Sequence, residues 1–136
     1  MRFMIIVKAT RDSEKGVMPE EERFAEMATY HEELARAGML LDASGLQPSS
    51  KGWRISYSGG KRRVTDGPFT ETKELVAGYT LIQAKSREEA LEWTKRFPNP
   101  ALGDGEIEVR QLYELEDFGE IEALERFRKL EEGRKS

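Results

Sequence analysis

Two continuous runs of strand-forming residues constrain the fold of this chain more than any other feature. They are Phe3–Val7 and Leu75–Ala84. A run without polar alternation is typical of a strand that is buried on both faces. Both runs are therefore predicted to lie in the centre of one sheet. The chain has 136 residues, which is enough for one domain with one hydrophobic core.

Two amphipathic helices are predicted beside these strands. The first covers about residues 20–37, because glutamates occupy its first turn and Gly38 is a helix stop. Its inward positions would be Phe24, Met27, Ala28, His31, Leu34 and Ala35. The second begins at Ser86, which has the capping-box spacing with Glu89, and ends before Pro98. Its inward positions would be Ala90, Trp93, Thr94 and Phe97.

The remaining segments indicate shorter strands and a loop. Residues 39–46 and 106–113 mix polar and apolar positions, which is typical of edge strands, and the mixed face of residues 39–46 would also suit the wall of a site. In the first of these, simple alternation would place Leu40, Asp42 and Ser44 on one face. Residues 53–57 and 62–65 are predicted to form a hairpin around Gly59 and Gly60, and residues 10–18 a loop.

The predicted order is therefore strand, helix, strand, hairpin, strand, helix, strand. This is an α+β fold, the ferredoxin-like βαββαβ arrangement with a β-hairpin insert. Two helices cover only one face of such a sheet, and the other face also carries apolar side chains. A second copy of the chain is the simplest cover, so we expect a homodimer with the sheets face to face.

Composition excludes several classes of function. The chain has no cysteine and one histidine, which argues against disulfides, thiolate chemistry and a compact metal site. A net charge of −4 disfavours nucleic-acid binding. There is no phosphate-binding glycine loop, and no apolar run approaches the ~20 residues of a membrane span. We expect a cytoplasmic protein without metal, cofactor, nucleic-acid partner or membrane segment.

A specific motif follows the hairpin: Asp66-Gly67-Pro68-Phe69-x-Glu71-x-Lys73-Glu74, with Gly78-Tyr79 in the next strand. Together with Leu46-Gln47-Pro48 and Glu108-Val109-Arg110, it resembles the YCII-related family, and specifically its DGPF-domain branch. The likeness covers residues 1–119, and a helical tail over residues 120–136 lies outside it. The resemblance implies the dimeric α+β barrel fold. For some members it also implies a small-molecule enzyme with a His-Asp pair, one being a dehydrochlorinase of aromatic ring degradation.

His31, Asp42 and Asp66 are the catalytic candidates. His31 is the only histidine and lies on the apolar stripe of the first helix, where such a residue is also often a core residue. Asp42 would orient its ring if both side chains pointed into the same layer, which is the arrangement of a general acid/base. Asp66 is either a turn residue that bonds its own backbone or a carboxylate at a pocket mouth.

The other residues of the motif are the candidate ligand-binding set. Gly67 and Pro68 would shape the backbone, Phe69 would close the core edge, and Tyr79 would point its hydroxyl into the barrel. Glu71 and Lys73 would either pair with each other or contact a polar ligand.

The sequence leaves two functions open, and whether the protein is an enzyme is undecided. One is a small-molecule enzyme that uses a His/Asp acid-base pair for elimination or hydrolysis. The other is a non-catalytic small-molecule-binding or regulatory dimer. The second is suggested by the absence of a recognisable nucleophile and by the frequent encoding of DGPF proteins beside extracytoplasmic-function sigma factors.

Overall fold

A four-stranded antiparallel sheet and a separate two-stranded hairpin make up the β structure of this chain. The computed structural model describes residues 1–135, and the side chains of residues 1–134. In chain order the elements are β1 (Arg2–Lys8), α1 (Arg11–Glu14), α2 (Glu21–Arg36), β2 (Leu40–Gly45), β3 (Trp53–Ser58), β4 (Lys61–Asp66), β5 (Val76–Gln83), α3 (Arg87–Thr94), β6 (Ile107–Gln111) and α4 (Ala123–Lys135). Short 3₁₀ turns cover Ser49–Lys51, Thr72–Glu74 and Leu115–Phe118.

The sheet order is β2-β5-β1-β6. This places the two most apolar strands in the centre and the two mixed strands at the edges, as the sequence predicts. The order confirms the ferredoxin-like fold with a hairpin insert between β2 and β5.

The hydrophobic core lies between one face of the sheet and the helices α2 and α3. Ile5, Leu34 and Ile82 are its fully buried side chains. Tyr30 is also buried, and its hydroxyl donates a hydrogen bond to the Trp93 carbonyl oxygen at 2.7 Å. This bond joins α2 to α3 across the core.

The inward stripe of α2 differs from the predicted one. Phe24 is 58% exposed, whereas Tyr30, which was not assigned to the stripe, is buried. The buried line of the helix follows Tyr30 and Leu34, four residues apart, and Phe24 lies to one side of it. In α3 the prediction is confirmed. Ser86 caps the helix through the Glu89 N–H at 3.1 Å, and Ala90 and Thr94 are buried.

The predicted loop over residues 10–18 contains a short helix, α1. Thr10 and Ser13 cap it reciprocally: each side-chain oxygen accepts a hydrogen bond from the backbone N–H of the other. A threonine three residues before a serine is a weak form of the capping box.

The hairpin insert follows the prediction closely. β3 and β4 pair along their length, and both turn glycines have positive φ, 55° at Gly59 and 77° at Gly60. Two such residues are what a two-residue hairpin turn requires. Among residues 1–135 no helix is long and apolar enough to cross a membrane.

Candidate functional site

A β-bulge in β2 decides which face of the sheet Asp42 occupies. Leu40 is opposite Ile82, but Asp42 is opposite Leu81, so the register shifts by one residue between them. Ile82 points into the core, whereas its neighbour Leu81 points to the opposite face. The bulge therefore turns Asp42 away from the helices, where simple alternation would have placed it with Leu40.

On that face Asp42 pairs with Tyr79. The Tyr79 hydroxyl donates a hydrogen bond to Asp42 Oδ2 at 2.8 Å, and the Ala43 N–H donates to Oδ1 at 2.9 Å. The hydrogen bond to the carboxylate raises the pKa of the Tyr79 phenol above its ordinary value, while the Ser44 hydroxyl acts weakly in the other direction. The pair thus presents a protonated phenol and a carboxylate side by side.

We call the sheet face opposite α2 and α3 the open face. Its middle is an apolar band of half-buried side chains, in which Ile6 is opposite Tyr79 and Met4 is opposite Leu81. At the β6 edge, Glu108 forms ion pairs with Lys8 at 3.7 Å and with Arg110 at 3.2 Å. At the other edge lies Asp42. The open face is therefore an apolar surface with one polar pair on one side and an ion-pair cluster on the other.

His31 does not meet Asp42, because the two lie on opposite faces of the sheet. His31 Nδ1 lies 2.7 Å from the Met27 carbonyl oxygen, and Nε2 lies 2.7 Å from Thr80 Oγ1. A carbonyl oxygen only accepts hydrogen bonds, so Nδ1 carries the proton and, in the neutral ring, Nε2 accepts from the Thr80 hydroxyl. The His31 ring also makes edge contacts with Tyr30 and Phe97. The prediction that His31 and Asp42 form a pair is therefore wrong.

Gly67 lies in a tight contact that explains its residue type. A Cβ atom at this position would be 1.9 Å from the Ser49 carbonyl oxygen, so no other residue fits without movement of the backbone. The following peptide bond, Gly67–Pro68, is cis. The close approach to Ser49 sets the course of the backbone at Gly67, whereas ligand binding by Gly67 and Pro68 stays a prediction.

Phe69 is half-buried and held from two sides. Its backbone N–H donates to Ser49 Oγ at 3.0 Å, and the Arg54 guanidinium lies 3.7 Å from its ring centroid. Ser49 in turn donates to the Glu14 carboxylate through both its hydroxyl and its backbone N–H. The motif loop is therefore fastened to α1 by a Glu14–Ser49–Phe69 chain of hydrogen bonds.

The charged residues of the motif are not brought together. Asp66, Glu71 and Lys73 are exposed, and within the described residues Glu71 and Lys73 form no ion pair with each other. Across residues 1–135 no three histidine, aspartate or glutamate side chains cluster in a way that suits a metal ion. The structure places Asp42 and Tyr79 in contact, and leaves His31 and Asp66 apart from them.

Sequence reasoning missed the Asp42–Tyr79 contact and the Glu14–Ser49 fastening. Both residues of the first pair were candidates, but each in a different role. The only available signal was that Tyr79 and Asp42 belong to strands predicted to be neighbours. Nothing in the sequence pointed to Glu14, because its partner lies 35 residues away in a turn.

The fold and the open face together define a ferredoxin-like α+β protein with a polar pair on the sheet face opposite α2 and α3. The YCII-related domain matches residues 1–116. The chain therefore belongs to the YCII-related family, whereas its placement in the DGPF branch stays a prediction.

An uncharacterised bacterial protein and a solved enzyme structure are among the proteins that are similar to this chain. An uncharacterised protein of Rhizobium meliloti (strain 1021) is 34% identical over 94 residues, which are 68% of this chain and 76% of that protein. The solved structure of 5-chloro-2-hydroxyhydroquinone dehydrochlorinase (TftG) from Burkholderia phenoliruptrix AC1100, in complex with 2,5-dihydroxybenzoquinone, is 16% identical. It aligns with a TM-score of 0.47 over 83% of this chain and 94% of that chain.

Proposed function

We propose that this protein is a homodimeric small-molecule-binding member of the YCII-related family, with Asp42 and Tyr79 as the polar centre of its ligand site. The observation that carries the proposal is the 2.8 Å hydrogen bond between these two side chains at the edge of an apolar band. A few polar groups at fixed positions in mostly apolar surroundings are typical of small-molecule sites.

The pair defines the chemistry of the ligand. Asp42 accepts one hydrogen bond at each oxygen from within the protein, and each oxygen has a further lone pair. A ligand with a hydroxyl, phenol or ammonium group would donate to that position. Ile6, Met4 and Leu81 would contact the apolar body of the ligand. We infer a small aromatic or aliphatic molecule that carries at least one such donor.

The geometry supports recognition better than acid-base catalysis. Both ring nitrogens of His31 have partners inside the protein, so neither is directed at a substrate. The hydrogen bond to the Asp42 carboxylate raises the pKa of the Tyr79 phenol, so the phenol acts as a hydrogen-bond donor at neutral pH. A fixed donor and a fixed acceptor suit binding, whereas elimination or hydrolysis needs a group that exchanges its proton readily.

A second copy of the chain would complete the site. In a single chain the apolar band of the open face is only half-buried. Two open faces placed together would bury both bands and would enclose the two Asp42–Tyr79 pairs. This is the homodimer expected from the sequence.

Calorimetric binding of small donors tests the proposal. Resorcinol, catechol and benzylamine are titrated into the purified full chain and into the Asp42→Asn variant. Loss of a hydrogen bond to a charged group costs about 1.5–3 kcal/mol, so Asp42→Asn is expected to weaken binding of any probe that binds by about tenfold or more.

Asp104→Asn is the matched control, because Asp104 is an exposed carboxylate in the loop before β6. It is expected to bind the probes as the unchanged chain does. Equal affinities for the Asp42→Asn variant and the unchanged chain, or no binding by any of the three probes, would rule the proposal out.

A further inference from the structure

The hairpin arm, residues 53–66, has an exposed apolar face. Every residue of β3 and β4 is exposed. Trp53, Ile55, Tyr57 and Val64 share one face of the arm, since Ile55 is opposite Val64, and their exposures are 64%, 45%, 70% and 64%. A lone two-stranded hairpin is only marginally stable in water. An exposed apolar face on such an element indicates a docking surface.

The acidic tail segment, residues 114–125, is a second surface with exposed apolar groups, although its Leu124 is buried and its Glu114 pairs with Arg2. It contains six acidic residues and no basic residue. Its apolar side chains Phe118 and Ile121 are 48% and 56% exposed, and the adjoining Tyr113, whose ring makes a tilted contact with that of Phe118, is 72% exposed. This segment therefore combines negative charge with exposed aromatic and aliphatic groups.

The charges of the two surfaces are complementary. The hairpin arm carries four basic residues and one acidic residue, although the chain as a whole has a net charge of −4. Arg62 and Lys61 lie at the tip of the arm, and the Arg62 guanidinium lies 5.3 Å from the centroid of the Tyr57 ring. Opposite charges around apolar centres are the usual composition of a specific interface.

The sheet order separates the two surfaces within one chain and brings them together between two chains. The arm leaves the sheet at the end of β2, beside Gly78, and the tail segment leaves it at the end of β6, beside Phe3. Because β2 and β6 run in opposite directions, these two points are diagonally opposite corners of the sheet. When two open faces stack about a two-fold axis that runs across the other diagonal, the arm corner of one copy lies over the tail corner of the other. Such an interface is reciprocal, so the same contact forms twice.

We propose that the hairpin arm of one copy docks on the acidic tail segment of a second copy, and that the two reciprocal contacts clasp the dimer. The apolar face of the arm packs on Phe118 and Ile121, and Arg62, which lies on that face, meets Glu120 and Glu122, while Arg63 on the other face adds to the positive charge of the arm. The inference adds a second interface to the proposed contact of the open faces.

Charge reversal on each side tests the clasp. Sedimentation equilibrium of the full chain gives the dimer dissociation constant. Arg62→Glu together with Arg63→Glu is expected to raise it about tenfold or more at low salt, and Glu120→Arg together with Glu122→Arg is expected to do the same. The effect of each pair should shrink as ionic strength rises. Lys85→Glu, which changes an exposed lysine before α3, is the control and should leave the constant unchanged.

Mixing the two charge-reversed proteins distinguishes a contact between copies from a contact within one chain. In each homodimer the arm and the tail now carry like charges. In the mixed dimer both contacts again join opposite charges, so the mixture is expected to dimerise more tightly than either protein alone.

Three results would overturn the clasp: a monomeric unchanged chain, an unchanged dissociation constant in both variants, or a mixture that dimerises no better than its components. The second result would remove the clasp and leave the open-face dimer and its ligand site untouched. A failure of probe binding at Asp42 would have no bearing on the clasp, so the two proposals are tested separately.

Discussion

At the scale of single residues, the hydrogen-bond partners of each polar side chain decide whether it is free to contact a ligand. His31 is the only histidine in the chain, and its ring nitrogens are occupied by a carbonyl oxygen and a threonine hydroxyl. Thr80 is itself buried, so this bond lies inside the helix–sheet layer. Asp42 and Tyr79, in contrast, meet on the face that the helices leave uncovered. The chemistry available to a ligand is therefore that of a carboxylate and a phenol.

Tyr30 predicts a pH dependence of stability. Burial raises the pKa of its phenol from 10.0 to about 12. Between these values the folded chain keeps a proton that the unfolded chain releases, so the free energy of unfolding falls as pH rises through this window. The contribution is fully present below pH 10. The stability difference between the unchanged chain and Tyr30→Phe should therefore shrink from pH 10 to pH 12.

Urea unfolding at a series of pH values checks this. Tyr57→Phe is the control, because Tyr57 is 70% exposed and lies on the hairpin arm. At neutral pH, Tyr30→Phe should cost about 1 kcal/mol through loss of the bond to the Trp93 carbonyl. A difference that stays constant across the alkaline window would show that burial does not hold the phenol in its neutral form.

At the scale of elements, the motif loop is held by backbone contacts. Gly67 meets the Ser49 carbonyl oxygen with no room for a side chain, and the Phe69 N–H donates a hydrogen bond to the Ser49 hydroxyl in the same turn. The loop therefore depends on the Ser49–Lys51 turn and, through Ser49, on Glu14. Residues that set the shape of this loop are separate from the Asp42–Tyr79 pair.

Gly67→Ala is expected to destabilise the chain by about 2 kcal/mol or more, because the added methyl group collides with main chain that cannot rotate away. Gly103→Ala is the matched control, since a Cβ there meets nothing within 4 Å. Its effect should stay within about 0.5 kcal/mol. Thermal and urea unfolding of both variants give the comparison. Equal stabilities would mean that the loop has space which the structure does not show.

Local pattern predicts most of these elements, and non-local contacts account for what it misses. The central strands and the glycine hairpin follow from apolar runs and turn chemistry that act over a few residues. The bulge between Leu40 and Asp42 cannot be predicted in this way. It is set by the register of β2 with β5, and the alternation of polar and apolar residues in β2 does not reveal it. One inserted residue moved Asp42 from the histidine side to the tyrosine side. The candidate residues were therefore largely recognisable, whereas their pairing was not.

At the scale of the whole molecule, one face of the sheet is covered and the other is open. Leu81 is half-buried on the open face beside Met4. In the proposed dimer, an arginine at this position would place a charge between the two packed sheets. Leu81→Arg is therefore expected to raise the dimer dissociation constant at least about tenfold in sedimentation equilibrium.

Leu91→Arg provides the comparison for this effect. Leu91 is 44% exposed on α3, on the other side of the sheet. Leu91→Arg should leave the dimer dissociation constant unchanged. Circular dichroism of Leu81→Arg and Leu91→Arg would establish that both variants keep their secondary structure. If Leu81→Arg dimerises as the unchanged chain does, the open face is not the surface that pairs.

The central claim is that ligands bind at the Asp42–Tyr79 pair on the open face. The most direct test is an NMR titration of the full chain, with ¹³C-labelled tyrosine and ¹⁵N-labelled histidine, against the tightest of the three probes. Tyr79→Phe identifies the Tyr79 signal, and His31 needs no assignment because it is the only histidine. We predict that the Tyr79 signals shift on binding while those of His31 stay in place. Shifts at His31 with an unmoved Tyr79 would contradict the account and would place the site in the helix–sheet layer.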